Sequence, residues 1–253
     1  MNRVAYSSIF RGEVRRVLRI WRQTLLPPLI SAALFFIVFG NIIGQRVGQI
    51  DDVPYTTFIA PGLILMALIT ASYTNAVSAF FSAKYQKSVE EFLIAPVSNS
   101  TIVLGYISGA MFRGLTVGVL VTILARFFTT FTIANPILLI FLAFFTSSLF
   151  ALGGLINALF AKKFDDISTF SEFVLTPLIY FAGVFYRIEH LPKMFQAISQ
   201  FNPLYYIISG FRACFLGIGG LNLGTVFGVI LGLNLVLFYL NTLLLKRRVG
   251  LNV

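Results

Sequence analysis

The chain has 253 residues, 58% of them hydrophobic and only 11% charged, with a mean hydropathy of +0.89. Soluble domains carry about 25% charged residues, so the composition excludes a water-soluble globular class. A formal charge of +10 and a pI near 10 would suggest nucleic acid in a soluble protein, but here the basic residues are placed as a membrane topology signal, and no nucleic-acid partner is expected.

The first predicted element spans residues 3–23. At about 100° per residue, Ile9, Phe10, Val14, Val17, Leu18, Ile20 and Trp21 share one half of a helical wheel, and Arg11, Arg15, Arg16, Arg19 and Arg22 fill the other. This pattern predicts an amphipathic helix in the cytoplasmic headgroup layer, its arginines drawn to anionic lipid. The basic start lacks the pattern of a cleavable signal, so the first span is expected to serve as the insertion signal. Glu13 falls within the apolar arc. It either contacts a basic cytoplasmic loop or partner, or is solvated near a frayed terminus. Pro27 and Pro28 then allow a sharp turn, because proline is tolerated in the first turn of a helix.

Six apolar runs follow, each near the twenty or so residues that cross about 30 Å of hydrocarbon. They are Leu25–Ile43, Ile59–Phe81, Ile102–Phe128, Ile137–Phe160, Phe170–Tyr186 and Leu223–Leu245. They predict an all-α membrane protein with one transmembrane domain over residues 1–253. The fifth run is short and contains Pro177. The stretch Pro203–Ile218 is not counted as a span, because Gly210 and Arg212 interrupt it.

Between the second and third runs, helix formers extend from Lys84 to Ile94 and Pro96 stops them, which predicts a short helix within residues 84–97. Val89, Phe92 and Leu93 make an apolar patch ringed by Lys84, Lys87, Glu90 and Glu91, a pattern suited to docking in a groove of another protein or to lying on the membrane. Within the third run Arg113 sits about 16 Å along the helix axis. A guanidinium at that depth costs roughly 2.5–3.5 kcal/mol unless it faces protein or water. Glu172 is one candidate partner, and Arg113 is read either as a substrate-path or gating charge, or as a structural ion pair or snorkelling side chain. Asp165 and Asp166 read as helix-start carboxylates. Gly220, Gly224, Gly228 and Gly232 recur every fourth residue, and Gly105/Gly109 and Gly114/Gly118 form pairs, so these faces are expected to pack against other helices.

With the N-terminus inside, the inner segments hold Arg3, Arg11, Arg15, Arg16, Arg19, Arg22, Lys84, Lys87, Lys162, Lys163, Lys246, Arg247 and Arg248, which is 13, and the outer segments hold Arg46, Arg126, Arg187, Lys193 and Arg212, which is 5. This bias predicts that both termini are cytoplasmic. One cysteine, Cys214, and one histidine, His190, cannot by themselves form an internal disulfide or a metal site.

Two stretches carry a family resemblance. Glu90-Glu91-Phe92-Leu93-Ile94-Ala95-Pro96-Val97 resembles the coupling-helix motif of ABC-2-type permeases, the membrane subunits of ATP-binding cassette exporters. The stretch from Leu191-Pro192 through Phe201-Asn202-Pro203-Leu204-Tyr205 to Phe211-Arg212 resembles that family's outer-leaflet element before the last span, with Pro192, Asn202, Pro203 and Arg212 as its marks. The resemblance implies a homodimer in a bacterial inner membrane, with two copies of an ATPase subunit bound at the coupling helices and ATP and Mg held by those partners. Lys84, Lys87, Glu90, Glu91, Phe92, Leu93 and Pro96 become the expected coupling residues. No residue is implied as catalytic, and no cofactor is expected on this chain. In keeping with this, the sequence contains no G-x-x-x-x-G-K-[ST] phosphate loop. The alternatives are a nucleotide-independent channel or ion-coupled carrier, which places ionisable groups at midplane helix breaks, and a membrane enzyme, which needs a paired acid and base. The cargo class (glycan, lipid, drug-like or other amphipathic) is not encoded in any motif.

Overall fold

The computed structural model describes residues 2–50, 52–89, 96–218 and 221–251. Helix α1, Arg3–Arg19, starts at Asn2, whose side-chain oxygen accepts from the N–H groups of Val4 and Ala5. Its buried residues are Ile9, Glu13 and Val17, one stripe at a spacing of four. A single turn, α2 (Trp21–Thr24), leads into α3 (Leu26–Phe35), which continues through a π-helical stretch, Phe36–Ile43, into α4 (Gly44–Val47). Together they make an apolar run of 27 residues, Trp21–Val47. Ile30, Leu34, Ile37 and Ile42 point outward from it, as expected where the surrounding solvent is hydrocarbon. A two-residue ladder, β1 (Gln49–Ile50) against β2 (Val53–Pro54), then turns the chain back.

Helix α5, Tyr55–Tyr85, is the axis of the molecule, with 83% of its most apolar stretch buried. It packs along α6 (Asn99–Ala125) and α7 (Pro136–Phe160). The three helices meet at small polar residues: Ser72 of α5 and Ser147 of α7 bring their hydroxyl oxygens to 2.8 Å, and Gly114 of α6 lies against them where a Cβ would collide with Ser72 Oγ. The last helix, α12 in the numbering completed below, is Leu223–Lys246. It lies at the periphery, with 17% of its apolar stretch buried. Asn234 and Asn241, seven residues apart, donate across to the carbonyls of Phe145 and Leu152, also seven apart, and so fix its register on α7.

The fifth apolar run does not form one long helix. Among the described residues five helices, not six, are long and apolar enough to cross a membrane. The run instead begins at α8 (Phe164–Phe170), passes through a π-helical turn at Ser171–Leu175 and ends with α9 (Thr176–Tyr180), pieces of 7, 5 and 5 residues. Pro177 has no N–H for the carbonyl four residues before it, and the widened turn accommodates that loss. Beyond Tyr180 the chain folds inward at Gly183 (φ 84°), and Ala182 and Val184 are buried. Val184 comes so close to Gly62 of α5 that a Cβ there would stand 2.9 Å from Val184 Cγ1. A 3-10 turn, Ile188–His190, and α10 (Lys193–Gln200) lead to α11, Pro203–Leu216. Gly210 and Arg212, read from sequence as interruptions, are instead what seats α11 inside the bundle. A Cβ on Gly210 would lie 2.6 Å from Val226 of α12, and the Arg212 guanidinium stacks 3.9 Å from the Phe58 ring. The backbone N–H groups of Ala134 and Asn135 donate to the last carbonyls of α11, at Phe215 and Cys214.

Candidate functional site

The carboxylate of Glu13 faces protein. Gly105 and Gly109 cut a groove in α6 into which α1 drops: a Cβ on Gly105 would be 2.7 Å from Ile9, and one on Gly109 would overlap Glu13. Buried there, Glu13 accepts from Arg16 Nη2 at 2.8 Å, and the same nitrogen reaches Asn75 Oδ1 of α5 at 3.1 Å. Burial pushes the Glu13 carboxyl above its ordinary value, and the charge and hydrogen bond of Arg16 offset only part of that. The partner of Glu13 is thus its own helix and α5. Arg16, placed by the wheel among the solvated arginines, turns inward to meet it.

Arg113 does not pair with Glu172. Its Nε and Nη2 donate to the backbone oxygen of Thr24, at 3.3 and 3.1 Å, while Glu172 is exposed and no ion pair joins the two among the described residues. The choice of acceptor follows from the chain: four residues after Thr24 stands Pro28, which has no N–H to offer that carbonyl. The two prolines that turn the chain into the first span therefore also create the acceptor that holds Arg113. Beside this contact is a cavity of about 390 Å³, lined by Gln23, Pro27, Pro28, Ser31 and Phe35 of the first span, Leu63, Met66, Ala67, Thr70 and Thr74 of α5, Arg113, and Tyr180.

At the end of α5, Lys84 is committed internally. Its Nζ donates to the carbonyls of Ala161 (2.7 Å), Leu159 (2.9 Å) and Ala158 (3.4 Å), closing the C-terminus of α7, where a cation is favoured. Lys87 is exposed with φ at 59°, Val89 is buried and Pro96 is exposed. Glu90, Glu91, Phe92 and Leu93 lie outside the described residues. At α8, Asp166 accepts from the N–H groups of Lys162 and Lys163, which completes that helix start.

The second motif is a set of tethers around the inward fold. Pro192 precedes α10 as its N-cap. Asn202 caps α11 by accepting from the Leu204 N–H and donates to the Leu178 carbonyl at 2.7 Å, with Pro203 in the first helical position. Arg212 Nη2 donates to the Gly183 carbonyl at 2.9 Å, and Tyr55 Oη to that of Phe185 at 3.0 Å. Sequence reasoning found Pro192, Asn202, Pro203 and Arg212 but missed Tyr55, Gly183, Asn75, Thr24 and the Asn234/Asn241 pair. A seven-residue spacing of asparagines in an otherwise apolar run was the available signal for the last two.

The model of the family described as ABC-2 type transporter matches residues 4–216. The chain belongs to this family. Among curated proteins, an inner membrane transport permease, YadH, of Escherichia coli strain K12 is 48% identical over 94% of this chain and 92% of its own length. Nodulation protein J of Rhizobium leguminosarum bv. viciae is 27% identical over 92% of each chain, and its counterpart in Rhizobium meliloti strain 1021 is 26% identical over 92% of this chain and 91% of its own. For an ABC-2 protein the geometry is that of a transport permease: a helical membrane bundle whose matched region runs from α1 through α11.

Proposed function

We propose that this chain is the membrane subunit of an ATP-driven exporter of the bacterial inner membrane, acting as a homodimer with two ATPase subunits bound at residues 84–97. ATP and Mg would be held by those partners. The observation that carries the reading is that the segment 84–97 joins α5 to α6, the two helices at the centre of the bundle. A displacement of that segment is therefore passed to the core and, through Glu13, Arg16 and Asn75, to α1. The basic residues Lys84, Lys87, Lys162, Lys163, Lys246, Arg247 and Arg248 cluster in sequence at the ends of α5, α7 and α12. This supports a cytoplasmic position for that end and for both termini. The inner-membrane assignment follows the name of the Escherichia coli relative.

The test is co-expression with a candidate ATPase, co-purification, and efflux that vanadate inhibits. Changing Glu91, Phe92 and Leu93 together to alanine should abolish ATPase association while leaving the purified chain folded. Ion conduction or transport by the chain alone, or labelling of residues 84–97 from outside intact cells, would overturn the proposal.

A further inference from the structure

Among the described residues, the cavity at Arg113 holds a cation with no carboxylate paired to it. The described ion pairs join Arg16 to Glu13 and Arg187 to Glu189, and no carboxylate lines the cavity. The Thr24 carbonyl uses two of the five guanidinium donors but supplies only a dipole, so a full positive charge remains about mid-way along α6. A part-buried charge on a membrane-spanning helix calls for protein, water or an anionic ligand beside it. The cavity has the volume for a ligand, since about 390 Å³ lies within the roughly 300–1,000 Å³ of small-molecule clefts. Its lining is divided: Arg113, Gln23, Ser31 and Thr70 are polar, whereas Phe35 and Met66 are apolar. It is also reached from the side, because Gln23, Pro27 and Ser31 on its rim are exposed next to the outward-pointing Leu26 and Ile30.

We propose that this cavity binds the anionic head group, phosphate or carboxylate, of a membrane amphiphile, with Arg113 as its charge anchor and the first span as its outer wall. The amphiphile is either a resident anionic phospholipid or the transported molecule. Only the second source rests on the exporter reading; the site itself does not.

The experiment uses the full chain purified in neutral detergent and native mass spectrometry, with dodecyl phosphate, phosphatidylglycerol and chain-matched phosphatidylethanolamine as probes. One dodecyl phosphate or phosphatidylglycerol per chain should bind in preference to phosphatidylethanolamine. R113Q should weaken binding about 10- to 100-fold, the range of a lost charge-assisted hydrogen bond, and R113K should retain most of it. Ala67→Phe, which fills the cavity and leaves the Arg113–Thr24 contact in place, should block binding, so the test survives even if R113Q does not fold. Phosphatidylglycerol that co-purifies with the wild type and is lost in A67F identifies a resident lipid. A site that is empty on purification, with dodecyl phosphate inhibiting efflux, identifies the cargo. Equal binding of the two phospholipids, or wild-type binding in A67F and R113K alongside no loss in R113Q, overturns the proposal. Binding that is intact in a chain showing no ATPase-driven efflux counts against the exporter reading and leaves the site standing.

Discussion

Two glycine runs look alike in the sequence, and the structure assigns them opposite mechanical roles, which a single methyl group can test. In Gly109→Ala the new Cβ overlaps Glu13 Cβ and lies 2.9 Å from Cγ, against a comfortable carbon separation of about 3.5–4.0 Å. The Glu13 Cβ is bonded to the α1 backbone and cannot rotate away, so α1 itself must lift. Overpacking of this kind costs about 1–3 kcal/mol, and the rigid contact places it near the top of that range. Replacing glycine by alanine inside a helix returns about 1 kcal/mol. The net loss is about 2 kcal/mol, or roughly 4–8 °C in the unfolding midpoint for a chain of this size. Gly232→Ala is the matched control: nothing lies within 4 Å of its Cβ, so only the propensity gain of up to about 1 kcal/mol applies. The assay is thermal unfolding of both variants as monomers in the same detergent. A Gly109→Ala protein as stable as Gly232→Ala would refute the docking of α1 in the α6 groove.

Removing Arg16 leaves the buried Glu13 carboxylate without its cation, and Arg16→Met should cost about 2–3 kcal/mol near pH 8, discounted for the partial exposure of Arg16. The sign with pH follows from burial, which raises the Glu13 carboxyl above 4.5, and further once Arg16 is gone. The native state then binds the proton more tightly than the unfolded one, so the stability of Arg16→Met should recover as pH falls from about 8 toward about 5; a pH-independent deficit would contradict this. Lys84→Met should fray the C-terminus of α7 at a cost of about 1–2 kcal/mol, seen as faster hydrogen exchange near Ala161, and unchanged exchange there would count against the cap. Asn241→Leu should shift stability by less than about 1 kcal/mol, because the lost bond to Leu152 averages about 0.6 kcal/mol and an unpartnered buried oxygen is removed with it. Asn241→Asp should fail to accumulate in the membrane, since it places a charge at a fully buried position; normal accumulation would mean that this face of α12 meets water.

Long helices were legible because the bilayer acts on composition: about twenty apolar residues in a row report their solvent whatever they touch. Five of the six apolar runs became such helices. The fifth is divided into short pieces by the widened turn before Pro177 and bends inward at Gly183, where α5 offers Gly62 and α11 offers Arg212 to receive it. Pro203–Leu216, 14 residues long, is not among the span-length helices, as its sequence predicts, but Gly210 and Arg212 do not interrupt its helix. Taken alone, a glycine and a charge disfavour a membrane span, and in contact with Val226, Phe58 and the Gly183 carbonyl they seat a helix.

From the order of its residues alone, the chain determined its solvent, its helical class, the amphipathic start and the motifs that resemble one family. Each of these depends on neighbours along the chain or on averages over a turn or a span. Tertiary structure alone decided that Arg113 meets a carbonyl freed by Pro28 rather than Glu172, that Glu13 lies in a glycine groove, and that one glycine run is filled while another stands open. A charge, a hydrogen bond or a missing side chain acts over a few ångströms in space, and the residue at that distance can lie anywhere in the sequence.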